Sequence, residues 1–309
     1  MALRRGAVKL RAFAINPLLS LPFMKIPKKI TGETTLITGA SSGIGLELAR
    51  EFARNQHSLV IVAPVDDELQ RIAEEIAKEF GVPVTPIAVD LTDPESAQQV
   101  FEAVQKEGLQ IDILINNAGL GQRGRFWEIP IEKDLEMIWL NIEAVLRLTK
   151  LFLPGMVQRG RGAVMNTASI AGFQPGPMLA VYHATKAFVL SFSEALATEL
   201  EKTGVTVTAL CPGPVDTDFF EKADMVDTAA FQKGNVMPPQ EVAKIAHAAA
   251  MRGERVVVPG GINKALVFAR RFTGEAAQAK MNEKQYRDVP PEERQREPGQ
   301  VTAEAENNR

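Results

Sequence analysis

Two rhythms of apolar residues alternate along the chain. Short, nearly unbroken apolar runs predict strands over 34–38, 58–63, 82–89, 111–116, 162–168, 205–211 and 255–258. Between them apolar residues return every three or four positions, which predicts helices over 46–54, 66–80, 94–106, 131–153, 180–202, 239–251 and 262–272. Repeated βα units of this length make a parallel sheet with helices on both faces, so the expected class is α/β with a doubly wound parallel sheet. In such sheets ligands gather beyond the carboxyl ends of the strands. Gly39, Asp90, Asn117, Ser169 and the turn Pro212-Gly213-Pro214 all fall there.

Composition adjusts this picture at its edges. With 309 residues, 45% of them apolar, the chain can bury one large core, and one domain with terminal extensions is expected. A formal net charge of -3 argues against a nucleic-acid binder, which needs a concentrated basic surface. The single cysteine, Cys211, rules out an internal disulfide and sits where a buried core residue is expected. His57, His183 and His247 stand at no metal-ligand spacing, so no metal is expected.

At the N-terminus, Arg4, Arg5, Lys9 and Arg11 precede an apolar run over 13–24 that Asn16, Pro17 and Pro22 interrupt. It is too short to span a bilayer, which takes about 20 residues. Residues 1–32 read either as an arm packed on the domain or as a basic segment touching a membrane surface as a peripheral contact. Beyond Thr273 the chain is polar and proline-punctuated, and a loosely attached tail is expected there.

Chemistry concentrates in two stretches. Residues 34–38 run into Gly39-Ala40-Ser41-Ser42-Gly43-Ile44-Gly45 and then a helix. Glycines permit the tight turn and a close pyrophosphate, whose charge the free amides of the helix N-terminus balance. Such a cluster standing alone is also compatible with an ordinary loop. Tyr182 and Lys186 are four apart in a helix and share a face. A phenol ionises near pH ~10, and a neighbouring cation favours its phenolate.

The motifs Thr38-Gly39-x-x-x-Gly43-x-Gly45, Asn116-Asn117-Ala118-Gly119, Asn141, Ser169, Tyr182-x-x-x-Lys186 and Pro212-Gly213 occur together in one order. In this the chain resembles the short-chain dehydrogenase/reductase family over residues 33–260, leaving 261–309 as a C-terminal helix and polar tail. The resemblance implies a single Rossmann-type domain, assembly into a homo-dimer or tetramer, and an oxidoreductase moving hydride between NAD or NADP and a secondary alcohol or ketone; the lone cysteine fits a reducing compartment, so a cytoplasmic location is expected, membrane-associated if the N-terminal segment touches a bilayer. It implies that Tyr182 is the acid or base and that Ser169 holds the substrate oxygen. Lys186 would lower the Tyr182 pKa and bind the nicotinamide ribose, while Asn141 supports a water path from Lys186. It assigns cofactor contacts to Gly39, Ser41, Ser42, Gly43, Ile44, Gly45, Asp90, Asn117, Ala118, Gly119, Tyr182, Lys186, Pro212, Gly213, Val215 and Thr217.

One departure concerns the adenosine ribose. Relatives often carry Arg where Pro64 stands, so the clamp for a 2'-phosphate is missing, and NAD is expected ahead of NADP. Asp66 and Asp67 either face that site or begin the next helix. Phe219, Phe220, Met225, Phe231 and Met237 are core, or a lid over a hydrophobic substrate. The rival functions are a dinucleotide sensor without turnover and a membrane-surface scaffold.

Overall fold

A computed structural model of the protein describes residues 32–307. Strands β1 (Thr34–Thr38), β2 (Ser58–Ala63), β3 (Val84–Ala88), β4 (Ile113–Asn116), β5 (Gly162–Thr167), β6 (Val205–Leu210) and β7 (Val256–Val257) form one sheet in the order β3-β2-β1-β4-β5-β6-β7. Every pairing is parallel. β1, β2 and β4 are buried along their whole length, which is why they read as unbroken apolar runs rather than as alternation.

Helices α1 (Gly43–Arg54), α2 (Asp66–Phe80), α3 (Ser96–Lys106), α4 (Ile131–Ile138), α5 (Ala144–Arg159) and α6 (Ala180–Glu199) follow the strands. They cover both faces, giving two main apolar clusters, one centred on Phe52, Leu48 and Ile37 and the other on Leu36, Val100 and Leu148. After β6 come two short helices, α7 (Phe219–Lys222) and α8 (Ala229–Gln232), and then α9 (Pro239–Met251), which packs on α1.

Three sequence expectations need correction. The helix predicted over 131–153 is two helices joined by a π-turn at Trp139–Glu143, and α5 continues through Pro154 to end at Gly160 (φ 68°). A proline lacks only one backbone donor, and here the flanking turns carry the helix past it. Helix α1 begins three residues earlier than its apolar period, because glycine positions register no periodicity.

The third correction concerns the tail, which is not loosely attached. Helices α10 (Gly261–Ala269), α11 (Glu275–Gln285) and α12 (Gln300–Asn307) belong to the compact unit that begins at Gly32. Asn282 Nδ2 donates to Pro175 O at 2.7 Å and Asn282 Oδ1 accepts from Gln174 Nε2 at 3.1 Å. The Asp216 carboxylate accepts from the amides of Gly299 (2.9 Å) and Thr302 (2.8 Å). Gln232 Oε1 accepts from the amides of Gln295 and Arg296, and Val289 is buried. Composition underrates such a segment because partners elsewhere in the fold satisfy its polar groups.

The N-terminal arm, with its membrane-contact reading, lies outside the described residues. Among the described residues no helix is long and apolar enough to cross a membrane.

Candidate active site

The glycine turn after β1 is packed too closely for side chains at its glycines. Gly39 and Gly43 have φ of 65° and 54°, and a Cβ on Gly45 would lie 1.9 Å from Gly39 O. Ser42 starts α1 without capping it through its side chain, so the first-turn amides keep no side-chain partner. Gly45→Ala is therefore expected to lower the melting temperature and to weaken dinucleotide binding at least about tenfold, since overpacking a closed contact costs roughly 1–3 kcal/mol. Thermal melts and binding titrations would check it.

The next strand end is tied to this turn. Thr38 Oγ1 accepts from the amides of Asn117 (2.9 Å) and Ala118 (3.0 Å). Asn117 Nδ2 donates to Thr38 O at 3.1 Å, and its Oδ1 accepts from Thr167 Oγ1 at 3.2 Å. The Asn117 side chain thus laces β1, β4 and β5 together and shapes the floor of the site. Asp90 uses one oxygen on the Thr92 amide (2.9 Å) and hydroxyl (2.8 Å).

Ser169 follows β5 and caps a 3-10 turn at Ile170–Phe173, its Oγ accepting from Ala171 N at 3.1 Å and donating to Pro212 O at 3.4 Å. Helix α6 presents Tyr182 and Lys186 to one cavity of about 720 Å³. Lys186 is buried, its Nζ donating to Thr167 O at 2.8 Å and lying 5.8 Å from the centre of the Tyr182 ring. A Cβ on Gly119 would fall 3.2 Å from Asn141 Oδ1 and 3.3 Å from Lys186 Nζ, so both side chains converge beside that glycine. Asn141, in the π-turn, binds Leu120 through N and O at 2.9 Å each and donates to Thr185 Oγ1 at 3.0 Å. π-turns of this kind frequently mark functional positions.

Burial sets the electrostatics. It pushes the Tyr182 phenol up to about 12, with the nearby Ser169 hydroxyl pulling the other way. It pushes the Lys186 ammonium down to about 8. Desolvation is the largest influence on the phenol, and the Lys186 ammonium is held to Thr167 O rather than to the phenol oxygen. A phenol is protonated at neutral pH at its ordinary value of 10.0, and burial extends that range. Cys211 is buried and its thiol is raised to about 12 by burial, which suits a core residue.

Every residue singled out from the sequence as a cofactor contact lines this cavity, as do Ser169, Tyr182 and Lys186; Asn141 stands behind its wall. Pro64 lines it too, whereas Asp66 and Asp67 open α2 as first-turn acids and do not. The apolar segment after β6 divides its duty. Phe219, Phe220 and Met225 line the cavity, the Phe219 ring 5.5 Å from that of Tyr182; Phe220 and Met225 are also buried with Phe231 in a satellite core, and Met237 belongs to the main core.

Sequence reasoning missed the opposite wall, made by Ile262, Leu266, Arg270, Met281 and Tyr286 of the C-terminal segment. Tyr286 Oη lies 2.8 Å from His183 Nε2. Because His183 Nδ1 is 2.7 Å from Gln174 O, which can only accept, Nδ1 carries the ring proton and Nε2 accepts from Tyr286. An aromatic at 286 in a polar stretch was the one available signal.

A nucleotide cradle at the strand ends and a phenol–ammonium pair on the next wall define a dinucleotide-dependent oxidoreductase site. Residues 33–227 match the family model described as short chain dehydrogenase, and the chain belongs to that family. A very-long-chain 3-oxoacyl-CoA reductase of Pyrenophora tritici-repentis is 40% identical over 202 residues, 62% of this chain and 59% of that protein. The chain thus spans under two thirds of that relative's length. A short-chain dehydrogenase from Sphingobium yanoikuyae, solved in complex with NADPH, is 37% identical with TM-score 0.70, covering 78% of this chain and 94% of that one. The bulky-bulky ketone specific alcohol dehydrogenase from Comamonas testosteroni is 32% identical with TM-score 0.66, covering 78% and 92%.

Proposed function

We propose that this enzyme reduces a bulky, hydrophobic ketone to a secondary alcohol, or catalyses the reverse, with a nicotinamide dinucleotide. The observation that carries the reading is the placing of half-buried Tyr182 and buried Lys186 in one cavity with the glycine turn and a wall of Phe219, Leu179, Ile262 and Leu266. The turn fits the cofactor: glycine at 39, 43 and 45 lets the backbone close against Ala118, Thr217 and Gly39 O, which brings the N-terminus of α1, whose amides would hold a pyrophosphate, to the cavity. When bound, the cofactor supplies or takes the hydride.

The chain's own residues handle the proton and the geometry. Tyr182 holds its proton at neutral pH and hands it to the oxygen of a carbonyl; Ser169 exchanges its bond to Pro212 O for that oxygen. Lys186 stabilises the phenolate left behind, and Asn141 fixes the loop at Leu120 beside it. Phe219 and the C-terminal wall keep water from the reacting atoms. The names of the Pyrenophora and Comamonas relatives support a bulky apolar substrate. A sensor would need only the cradle, so the tetrad favours turnover.

For the cofactor, Ala63 and Pro64 offer neither an acid for a 2'-hydroxyl nor a cation for a 2'-phosphate, and Arg270, on the same cavity, is held to Phe173 O at 2.6 Å. This supports NAD, while the NADPH complex of the Sphingobium relative supports NADP. Titrations are expected to give affinities for the two within about tenfold, as neither discriminating contact is present. Tight NADP binding with negligible NAD binding would overturn this. Turnover of a ketone and alcohol panel with each cofactor tests the whole reading, and inactivity on every member would favour the sensor. Exposed Ile131, Leu135 and Ile138 on one face of α4 support the self-association expected of the family, which light scattering would measure.

A further inference from the structure

Helix α10 has its polarity reversed. Its one buried residue is Asn263, whose Nδ2 donates to Pro259 O at 2.8 Å. Its exposed apolar residues fall on two sides: Ile262 and Leu266, 57% and 54% exposed, flank the cavity, while Phe268, 59% exposed, lies about 160° round the helix from Leu266, beside Phe272 (78% exposed) in the turn that follows; Val267 packs inward. The rings of Phe268 and Phe272 are 5.6 Å apart, which makes them one patch. A helix resting on a core normally shows the opposite arrangement, and a contiguous exposed apolar face marks a surface that something covers.

Two observations identify the cover. From Val256 to Gly274 the charged residues are Lys264, Arg270 and Arg271, with no carboxylate among them, and the Arg271 guanidinium lies 5.8 Å from the Phe268 ring centre. Apolar and cationic groups are thus interleaved, as on helices that lie at an anionic lipid interface. A second copy docking by the same patch about a two-fold axis would set these cations against each other.

We propose that α10 and the turn after it dock the protein on the surface of an anionic lipid bilayer. Phe268 and Phe272 seat among the acyl chains, and Lys264 and Arg271, on the same side of the helix as Phe268, meet the head groups. The oxidoreductase reading and this docking stand separately.

The test is co-sedimentation of the full-length protein with phosphatidylcholine vesicles, with and without phosphatidylglycerol. Binding is expected on the anionic vesicles and is expected to fall as salt rises. Phe268→Ser with Phe272→Ser should weaken it at least about tenfold on all vesicles, and Lys264→Gln with Arg271→Gln by a similar factor on the anionic ones alone. Neither phenylalanine lines the cavity, so both variants should melt like the parent and turn over a small water-soluble ketone at the parent rate. Absence of vesicle binding, or binding equal in parent and variants, overturns the proposal, the latter placing the contact on another surface. A dimer that the two Phe substitutions dissolve would also overturn it and assign the face to a second copy. Sedimentation reads docking without turnover, so an inactive protein that binds vesicles would sink the enzymatic reading and leave the docking intact.

Discussion

Tyr182→Phe is expected to cut ketone turnover by roughly a hundred- to ten-thousandfold, the span that a positioned general acid contributes. Dinucleotide affinity should stay near the parent value, because the ring that packs against Phe219 is retained and the cradle is untouched. The physical reason is specific to this site. The Tyr182 hydroxyl is protonated well beyond neutral pH, its ionisation pushed up to about 12 by burial, and phenylalanine has no proton to hand over. Steady-state rates on the ketone panel, with cofactor binding followed by fluorescence, would measure both quantities. A mutant as active as the parent would remove the mechanism.

Lys186→Met is expected to lose activity and gain stability in the same protein. Without an ammonium beside the phenolate that forms, turnover should fall by roughly a hundredfold or more. Stability moves the other way, because Lys186 is buried and its ionisation is pushed down from 10.5 to about 8. Between about 8 and 10.5 the unfolded chain binds a proton that the folded chain has released, so the parent's stability rises with pH across that window. Below it the cost of burying the charge is fully present, on the order of 3 kcal/mol. Methionine escapes that cost but leaves Thr167 O without its donor, which takes back about 1–3 kcal/mol. The expected result is a variant at least as stable as the parent at pH 7, with the gap closing as pH rises towards 10.5. Denaturant titrations at several pH values would check this, and a gap that widens with pH would contradict it. Turnover by the parent in the reductive direction should decline as pH rises through about 8, where Lys186 loses its charge.

Most of the nucleotide half was legible before any coordinates. The glycines at 39, 43 and 45 announce a turn that side chains would block, and Gly45 closes to within 1.9 Å of Gly39 O when a Cβ is added. Tyr182 and Lys186 share a face because four residues make about one helical turn. Strand ends followed from where apolar runs stop, which brought Asp90, Asn117, Ser169 and Pro212 to the same edge of the sheet. The substrate half was not legible. Its wall comes from the segment that looked most dispensable, held by Tyr286 to His183 across 103 positions and by Asn282 to Pro175 across 107.

The sequence by itself determined the alternation of strands and helices, the glycine cradle and the pairing of phenol with ammonium, since all of these follow from steric and periodic rules acting within a few residues. Tertiary structure alone decided that the polar C-terminal segment walls the cavity, that Lys186 is buried against Thr167 O, and that Phe268 and Phe272 are left exposed beside α10. Each of these depends on which distant groups exclude water or supply a hydrogen-bond partner, and those distances are not written in local spacing.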